Sequence, residues 1–200
     1  HHWCTFWFAD QFNPSVQLPI MKDLAKFHKT VTIGELGLDY SPGSADSLSQ
    51  QQTLATLLEW ISSKQQDKVV IVHARGDVFT DLLHLCKTLL PSLQRLHLHC
   101  CTLDPDQIDQ WIEAFPQTKV GISPKLLNPE WYHTLSTVIR RLPLSSIMVE
   151  TDAPYLTTSQ FKTYHGTPFQ LPEVITAIAE IRNLPSRIVA IATEIGRAHV

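Results

Sequence analysis

At 200 residues the chain is long enough for one domain with a sizeable core. A formal net charge of -3 with no Lys/Arg run excludes a protein that grips nucleic acid through a broad basic face, though not one with a compact phosphate site. No apolar run approaches the ~18 residues of a membrane span, no secretory signal is read, and the four cysteines (Cys4, Cys86, Cys100, Cys101) lack CxxC spacing, so reduced thiols in an intracellular protein of cytoplasm or nucleus are expected.

His1-His2 reads as a ragged start or tag remnant, and Trp3-Cys4-Thr5-Phe6-Trp7-Phe8 as a β-prone stretch. Ile20, Leu24 and Phe27 have helical spacing, and Lys26, His28 and Lys29 suit a helix C-terminus, which predicts a helix over 19–29. A strand over 31–35 follows, then a polar loop over 41–47 and a helix with Leu54, Leu57, Leu58 and Ile61 on one face. Val69-Val70-Ile71-Val72 reads as a buried strand ending in His73-Ala74-Arg75, and Phe79, Leu82, Leu83, Cys86 and Leu90 mark another helix. Leu96 to Cys100 alternates like a strand. Asp104-Pro105 is an N-cap followed by proline at the first helical position. Lys119 to Ser123 is a strand, Asn128-Pro129 opens a helix, and Ser146 to Glu150 is the last strand. A long loop then leads to a helix with Val174, Ile175, Ile178 and Ile181, and to another starting near Ser186.

Unbroken strand–helix alternation predicts an α/β fold with a parallel sheet and right-handed crossovers. Periodicity leaves two architectures open, a doubly wound sheet or part of a (β/α)8 TIM-type barrel. The polar residues choose between them. Glu35, His73, His99 and Asp152 each fall at or just past the C-terminal end of a different strand, the end where barrels gather their catalytic groups. Singly, Glu35 is a metal ligand or a core carboxylate paired with an Arg, and each histidine a ligand or a satisfied core group. Four ligand-type residues in equivalent positions favour a barrel with a metal at its mouth. Imidazoles and carboxylates together suit zinc, manganese or magnesium.

The motifs Gly34-Glu35-Leu36-Gly37-Leu38-Asp39-Tyr40, Val70-Ile71-Val72-His73-Ala74-Arg75, His99-Cys100 and Val149-Glu150-Thr151-Asp152-Ala153-Pro154-Tyr155-Leu156 resemble the TatD family of metal-dependent nucleases in order and spacing. The resemblance covers roughly residues 31 to 194, and the stretch from His97 to Ser123 leans toward the animal TatD domain-containing protein 2 group. It implies two divalent ions (Mg, Mn or Zn), a nucleic-acid substrate and no obligate protein partner. It makes Glu35 a carboxylate shared between the two ions and His73 and His99 ligands to one. Asp152 becomes a ligand to the other or the acceptor of the attacking water's proton. Arg75 reads as a phosphate contact or a salt bridge to Asp77 or Glu150, Tyr155 and His165 as substrate contacts, and Asp39 and Tyr40 as supporting residues.

Departures from the family pattern are informative. The family's first strand carries His-x-His, and no such strand precedes Glu35; Trp3 to Phe8 stands where the family has Gly-x-His-Pro-His. His99-Cys100-Cys101-Thr102-Leu103 replaces a usual His-Cys-Phe-Ser/Thr-Gly. Against the ~250 residues of a typical barrel, residues 1–194 are expected to form one barrel domain lacking its first strands, with one of the two metal positions retained. Residues 195–200, Ile-Gly-Arg-Ala-His-Val, are expected to be a non-native tail. The expected activity is phosphodiester hydrolysis of DNA or RNA. The alternatives are another amidohydrolase-type hydrolysis, a degenerate barrel used for binding and, last, a structural zinc site from His97, His99, Cys100 and Cys101.

Overall fold

A computed structural model describes residues 14–27, 30–157 and 165–193. The stretch Trp3–Phe8, the pair His1-His2 and the tail at 195–200 lie outside the described residues. The chain divides into two compact units, residues 1–99 with 111–118, and residues 100–110 with 119–200.

The first unit is built on three parallel strands in sequence order: β1 (Thr32–Asp39), β2 (Val69–Arg75) and β3 (Leu96–Leu98). Such strands need crossover connections, and helices α2 (Ser47–Lys64) and α3 (Phe79–Leu89) supply them. Asp46 starts α2 by accepting the amide hydrogens of Leu48 and Ser49 at 3.0 and 3.1 Å, satisfying two donors that a helix start leaves unpaired. The apolar face read from the sequence is the buried face, with Leu54, Leu57, Leu58 and Ile61 each at most 2% exposed. On α3, Leu82 and Cys86 are buried one helical turn apart. The rings of Trp111 and Phe115 pack 5.9 Å apart, both fully buried.

The pairing of β1 with β2 is irregular at one point. Ile33 pairs with Val70 but Leu36 with Val72, so β1 carries one extra residue between them, a bulge that re-aims the side chains around it. The glycines beside this bulge are dictated by close approach. A Cβ on Gly37 would lie 1.8 Å from the His73 carbonyl oxygen, and one on Gly34 would lie 2.7 Å from the Ile71 carbonyl oxygen. Only glycine lets the two backbones come this near.

In the second unit, β4 (Lys119–Ile122) and β5 (Ile147–Val149) run parallel, with Val120 opposite Ile147. Helix α4 (Pro105–Ala114) begins with reciprocal capping: Asp104 Oδ1 accepts the Gln107 amide at 2.9 Å and Gln107 Oε1 accepts the Asp104 amide at 3.1 Å. Asn128 caps α5 (Pro129–Arg141) by accepting the Glu130 amide at 3.0 Å. Helices α6 (Leu171–Arg182) and α7 (Ser186–Ala192) follow. Arg182 Nη1 donates to the carbonyls of Ile139 and Leu142 at 2.8 and 2.7 Å, placing a cation on the C-terminal end of α5.

Three elements depart from the sequence reading. Strand β1 runs on to Asp39 rather than stopping at 35, so Glu35 lies within the strand and not at its C-terminal end. The first helix, α1, spans Pro14–Leu24 rather than 19–29, with Pro19 inside it. Met21 of this helix and Ala25 just past its end are buried, while Ile20 and Phe27 are 51% and 62% exposed. Beyond Leu24 the backbone tightens into turns, with the Phe27 amide donating to the Leu24 carbonyl, so the stripe of Ile20, Leu24 and Phe27 never forms a helical face. Strand β3 is shorter than its alternation predicts. All three of its residues are buried, as is usual for strands of parallel sheets, and Cys100 takes a left-handed φ of 43° that ends extended pairing.

Cys86, Cys100 and Cys101 are buried thiols, and burial pushes Cys86 and Cys101 up to about 12. Native protein at pH 8 should therefore leave Cys86 unmodified by iodoacetamide, whereas urea-unfolded protein should be labelled, as read by peptide mass mapping; labelling of native protein would show that α3 opens readily. Gly37→Ala should destabilise the fold by about 1–3 kcal/mol, because the inserted methyl meets backbone that cannot rotate away. A urea-denaturation midpoint equal to wild type would show that β1 and β2 can separate at no cost.

Candidate metal centre

The register of the first unit assembles three of the four predicted residues. Gly37 pairs with His73, and Val72 pairs with Leu98, so His73 and His99 emerge side by side where β2 and β3 end. The His99 amide still donates to the Val72 carbonyl at 2.9 Å, fixing its backbone although it lies past the strand. The two imidazoles stand with ring centres 6.3 Å apart and planes 28° from parallel. Glu35, at the bulge of β1, reaches both: Oε2 lies 3.5 Å from His73 Nδ1 and Oε1 lies 3.5 Å from His99 Nε2.

Both separations are longer than the about 2.7–3.2 Å of a direct nitrogen–oxygen hydrogen bond, and each carboxylate oxygen faces a different imidazole. A carboxylate with two imidazoles is a donor set suited to zinc or manganese. The side chains are accessible to an ion without being fully solvated: Glu35 is 27%, His73 29% and His99 11% exposed.

Hydrogen bonds around the end of β1 hold the site's floor. Asp39 donates its amide to Gln50 Oε1 at 2.8 Å, and Gln50 Nε2 returns bonds to the carbonyls of Asp39 and Ala45 at 2.6 and 2.7 Å. Burial raises the Asp39 carboxyl, but hydrogen bonds from Ser41 and the charges of Arg75 and His73 outweigh it and leave the group below the ordinary range. Tyr40 donates to Asp81 at 2.9 Å, and Gln51 donates to both. Burial and the Asp81 carboxylate hold the Tyr40 phenol above its ordinary value, so it stays a neutral donor. Arg75 pairs with Asp39 at 3.9 Å rather than with Asp77, and its side chain is 67% exposed. A pair so long and so exposed contributes little to stability and leaves the guanidinium's donors turned to solvent.

The second unit holds the fourth predicted residue. Asp152 follows β5 with a left-handed φ of 53°, a conformation that Asp tolerates better than most residues, and its carbonyl accepts the Tyr155 amide at 2.8 Å. Tyr155 is 70% exposed. His165 is also exposed, and its neighbour Gly166 donates to the Pro154 carbonyl at 2.9 Å. Glu150, two residues before Asp152, was not singled out from the sequence as a site residue. Its Oε1 accepts the Cys100 amide hydrogen, so it steadies the turn at Cys100. The clue lay in the alternation of Glu150 and Asp152 past a buried strand end. Phe169, four residues after His165, is 80% exposed.

Compared with known proteins, residues 8–195 match the family model of TatD-related DNases. The chain belongs to the TatD family. It is 28% identical over 188 residues to the human 3'-5' RNA nuclease TATDN2, covering 89% of this chain and 23% of that protein. It is 31% identical over 160 residues to the uncharacterized metal-dependent hydrolase YjjV of Escherichia coli K12, covering 79% and 58%. With the 3'-5' ssDNA/RNA exonuclease TatD of Pectobacterium atrosepticum it shares 26% over 178 residues, covering 87% and 66%. The crystal structure of YjjV superposes with a TM-score of 0.80 at 25% identity, over 94% of this chain and 70% of that one. The α/β class of the TatD barrel, expected from the strand–helix alternation, is thereby borne out. The chain spans only part of these TatD relatives, from 23% to 66% of their sequences.

If Glu35 bridges the two imidazoles through an ion, Glu35→Gln should weaken Mn²⁺ binding at least about tenfold in isothermal titration calorimetry, with the far-ultraviolet circular dichroism unchanged. Unaltered affinity would remove Glu35 from the ligand set.

Proposed function

We propose that this chain is the hydrolytic part of a metal-dependent nuclease that cleaves phosphodiester bonds in DNA or RNA. The observation that carries the proposal is the 3.5 Å stand-off of both Glu35 carboxylate oxygens from two imidazole nitrogens. Relatives named as 3'-5' nucleases and as metal-dependent hydrolases support it.

Glu35, His73 and His99 would hold one divalent ion, Mg, Mn or Zn. When bound, such an ion acidifies a coordinated water and offsets phosphate charge. The chain's own residues do the rest. Asp152, the proposed fourth member, takes the proton of the attacking water or holds a second ion. Its left-handed backbone, pinned by the Tyr155 amide, fixes where the carboxylate leaves the chain. Arg75, tied only loosely to Asp39, presents its donors to a phosphate oxygen. Tyr155 and His165 offer exposed rings to the substrate beyond Asp152. Residues 1–194 are read as the barrel domain that carries these groups.

Nucleic acid is the proposed partner, at an intracellular site where the buried thiols stay reduced, in cytoplasm or nucleus. Among the described residues no helix is long and apolar enough to cross a membrane.

The test is fluorescence-detected cleavage of single- and double-stranded DNA and RNA with Mg²⁺ or Mn²⁺, beside an EDTA control. This chain is run alongside a longer form carrying a His-x-His strand ahead of residue 1. Cleavage should depend on metal, and Asp152→Asn should lower it at least about 100-fold without unfolding the protein. Full turnover by Asp152→Asn would take Asp152 out of the mechanism. Silence from both forms with metal bound would favour another metal-dependent hydrolysis.

A further inference from the structure

We propose that Lys125 binds a backbone phosphate of the polynucleotide, on the sheet end of the second unit that also carries Asp152. The inference rests on the nuclease reading above and adds to it a substrate-binding residue that lies outside the motifs of the sequence.

The turn that carries Lys125 is fixed by its neighbours. Ser123 leaves β4 in extended backbone, and Pro124 and Leu126, on either side of Lys125, are both buried. The Leu126 amide donates to the Ser123 carbonyl and the Asn128 amide to the Lys125 carbonyl, each at 3.0 Å. The 3-10 turn Pro124–Leu127 is thereby closed at both ends before Asn128 caps α5. Asp152 leaves the sheet at the same end. Ile122 pairs with Val149, and the Glu150 amide donates to the Ile122 carbonyl at 3.1 Å. Lys125 and Asp152 each follow that pair by three residues, at the C-terminal ends of parallel strands about 4.8 Å apart. Barrels often bind phosphate on the loops after their last two strands, and β4 and β5 are the last two among the described residues.

What distinguishes Lys125 is a cation without an acceptor. The residue is half-buried, and among the described residues its side chain makes no hydrogen bond or ion pair. Lysine is seldom drawn in from water unpaired, because desolvating a lone ammonium is costly. Lys119, at the start of the same strand, shows the ordinary arrangement, with its Nζ donating to the Ser145 carbonyl at 2.6 Å. Near the end of β4 the Glu150 carboxylate is already engaged, since its Oε1 accepts the Cys100 amide hydrogen. The Lys125 charge stays close to this end of the sheet, where the Cys101 amide donates to the Gly121 carbonyl at 3.0 Å. Burial is the main cause that raises the Cys101 thiol; the Glu150 charge raises it further, and the Lys125 charge lowers it. A phosphate oxygen supplies the missing acceptor and carries the opposite charge. With a net charge of -3 and no basic run, one such contact is a large share of the phosphate neutralisation open to this protein.

The test measures binding of fluorescein-labelled DNA and RNA oligonucleotides between about 50 and 200 mM salt, with Ca²⁺ present and cleavage monitored, for wild type, Lys125→Gln and Lys125→Arg. Lys125→Gln should bind about tenfold more weakly at the lowest salt and flatten the plot of log affinity against log salt by about 0.7. Lys125→Arg, which keeps the charge, should restore both. A slope that Lys125→Gln leaves unchanged would overturn the phosphate contact and leave the nuclease reading intact. So would an equal loss of affinity in both variants, which would mark a packing role. No binding of either oligonucleotide by folded, metal-loaded wild type would overturn the nuclease reading and the contact with it.

Discussion

The first unit depends on how closely β1 and β2 approach each other at Gly37. There the carbonyl of His73 occupies the space that any side chain would need. The extra residue between Ile33 and Leu36 shifts the register upstream, and Glu35 lies within that irregular stretch. With no side chain at Gly37 between them, the Glu35 carboxylate stands across from His73 and reaches His99 beyond. The glycines of Gly34-Glu35-Leu36-Gly37 therefore set a distance between backbones. The place of the carboxylate between the two imidazoles follows from that distance, because a glutamate has only two rotatable bonds beyond its Cβ with which to correct a misplaced strand.

Much of this was legible in the sequence because it is written in local rules. Capping pairs such as Asp104 with Gln107 act over three residues, and the apolar face of α2 follows helical period. The placement of His73 and His99 near strand ends could be read because buried strands exclude polar residues until the strand finishes, whereas Glu35 lies inside β1, at its irregular stretch. What could not be read depends on contacts distant in sequence. The buried residues here are Met21 of α1 and Ala25 just past it, rather than Ile20 and Phe27. Helical period alone does not say which of two apolar stripes meets the core. Arg75 pairs with Asp39, 36 positions upstream, because neighbouring parallel strands put the two opposite each other. Phe169 is 80% exposed although apolar, a placement that follows from Gly166 and Gln170 fixing the turn on either side.

The two units use different means to present their polar groups. In the first, the candidate ligands are held by strand pairing, where each position is determined by hydrogen bonds to a neighbour. In the second, Asp152 and Tyr155 lie on a loop whose conformation comes from a left-handed aspartate and a short turn. Strand-borne donors suit a role that tolerates little positional error, such as holding an ion. Loop-borne groups suit contact with a flexible polymer, whose own freedom absorbs small displacements.

Gln50 has a consequence for how this scaffold can change. By bonding the carbonyls of both Asp39 and Ala45 while receiving the Asp39 amide, a single buried amide side chain fastens the two feet of the 40–45 loop to helix α2. The loop is thereby insulated from the strand that feeds it. Residues could be inserted beside Gly43, where space is open within 4 Å although its own φ of +90° keeps that position for glycine, without the change being transmitted to Glu35. The region immediately beyond the strand that carries Glu35 is thus where new surface contacts could be acquired by descent or by design, with the side chains underneath left as they were.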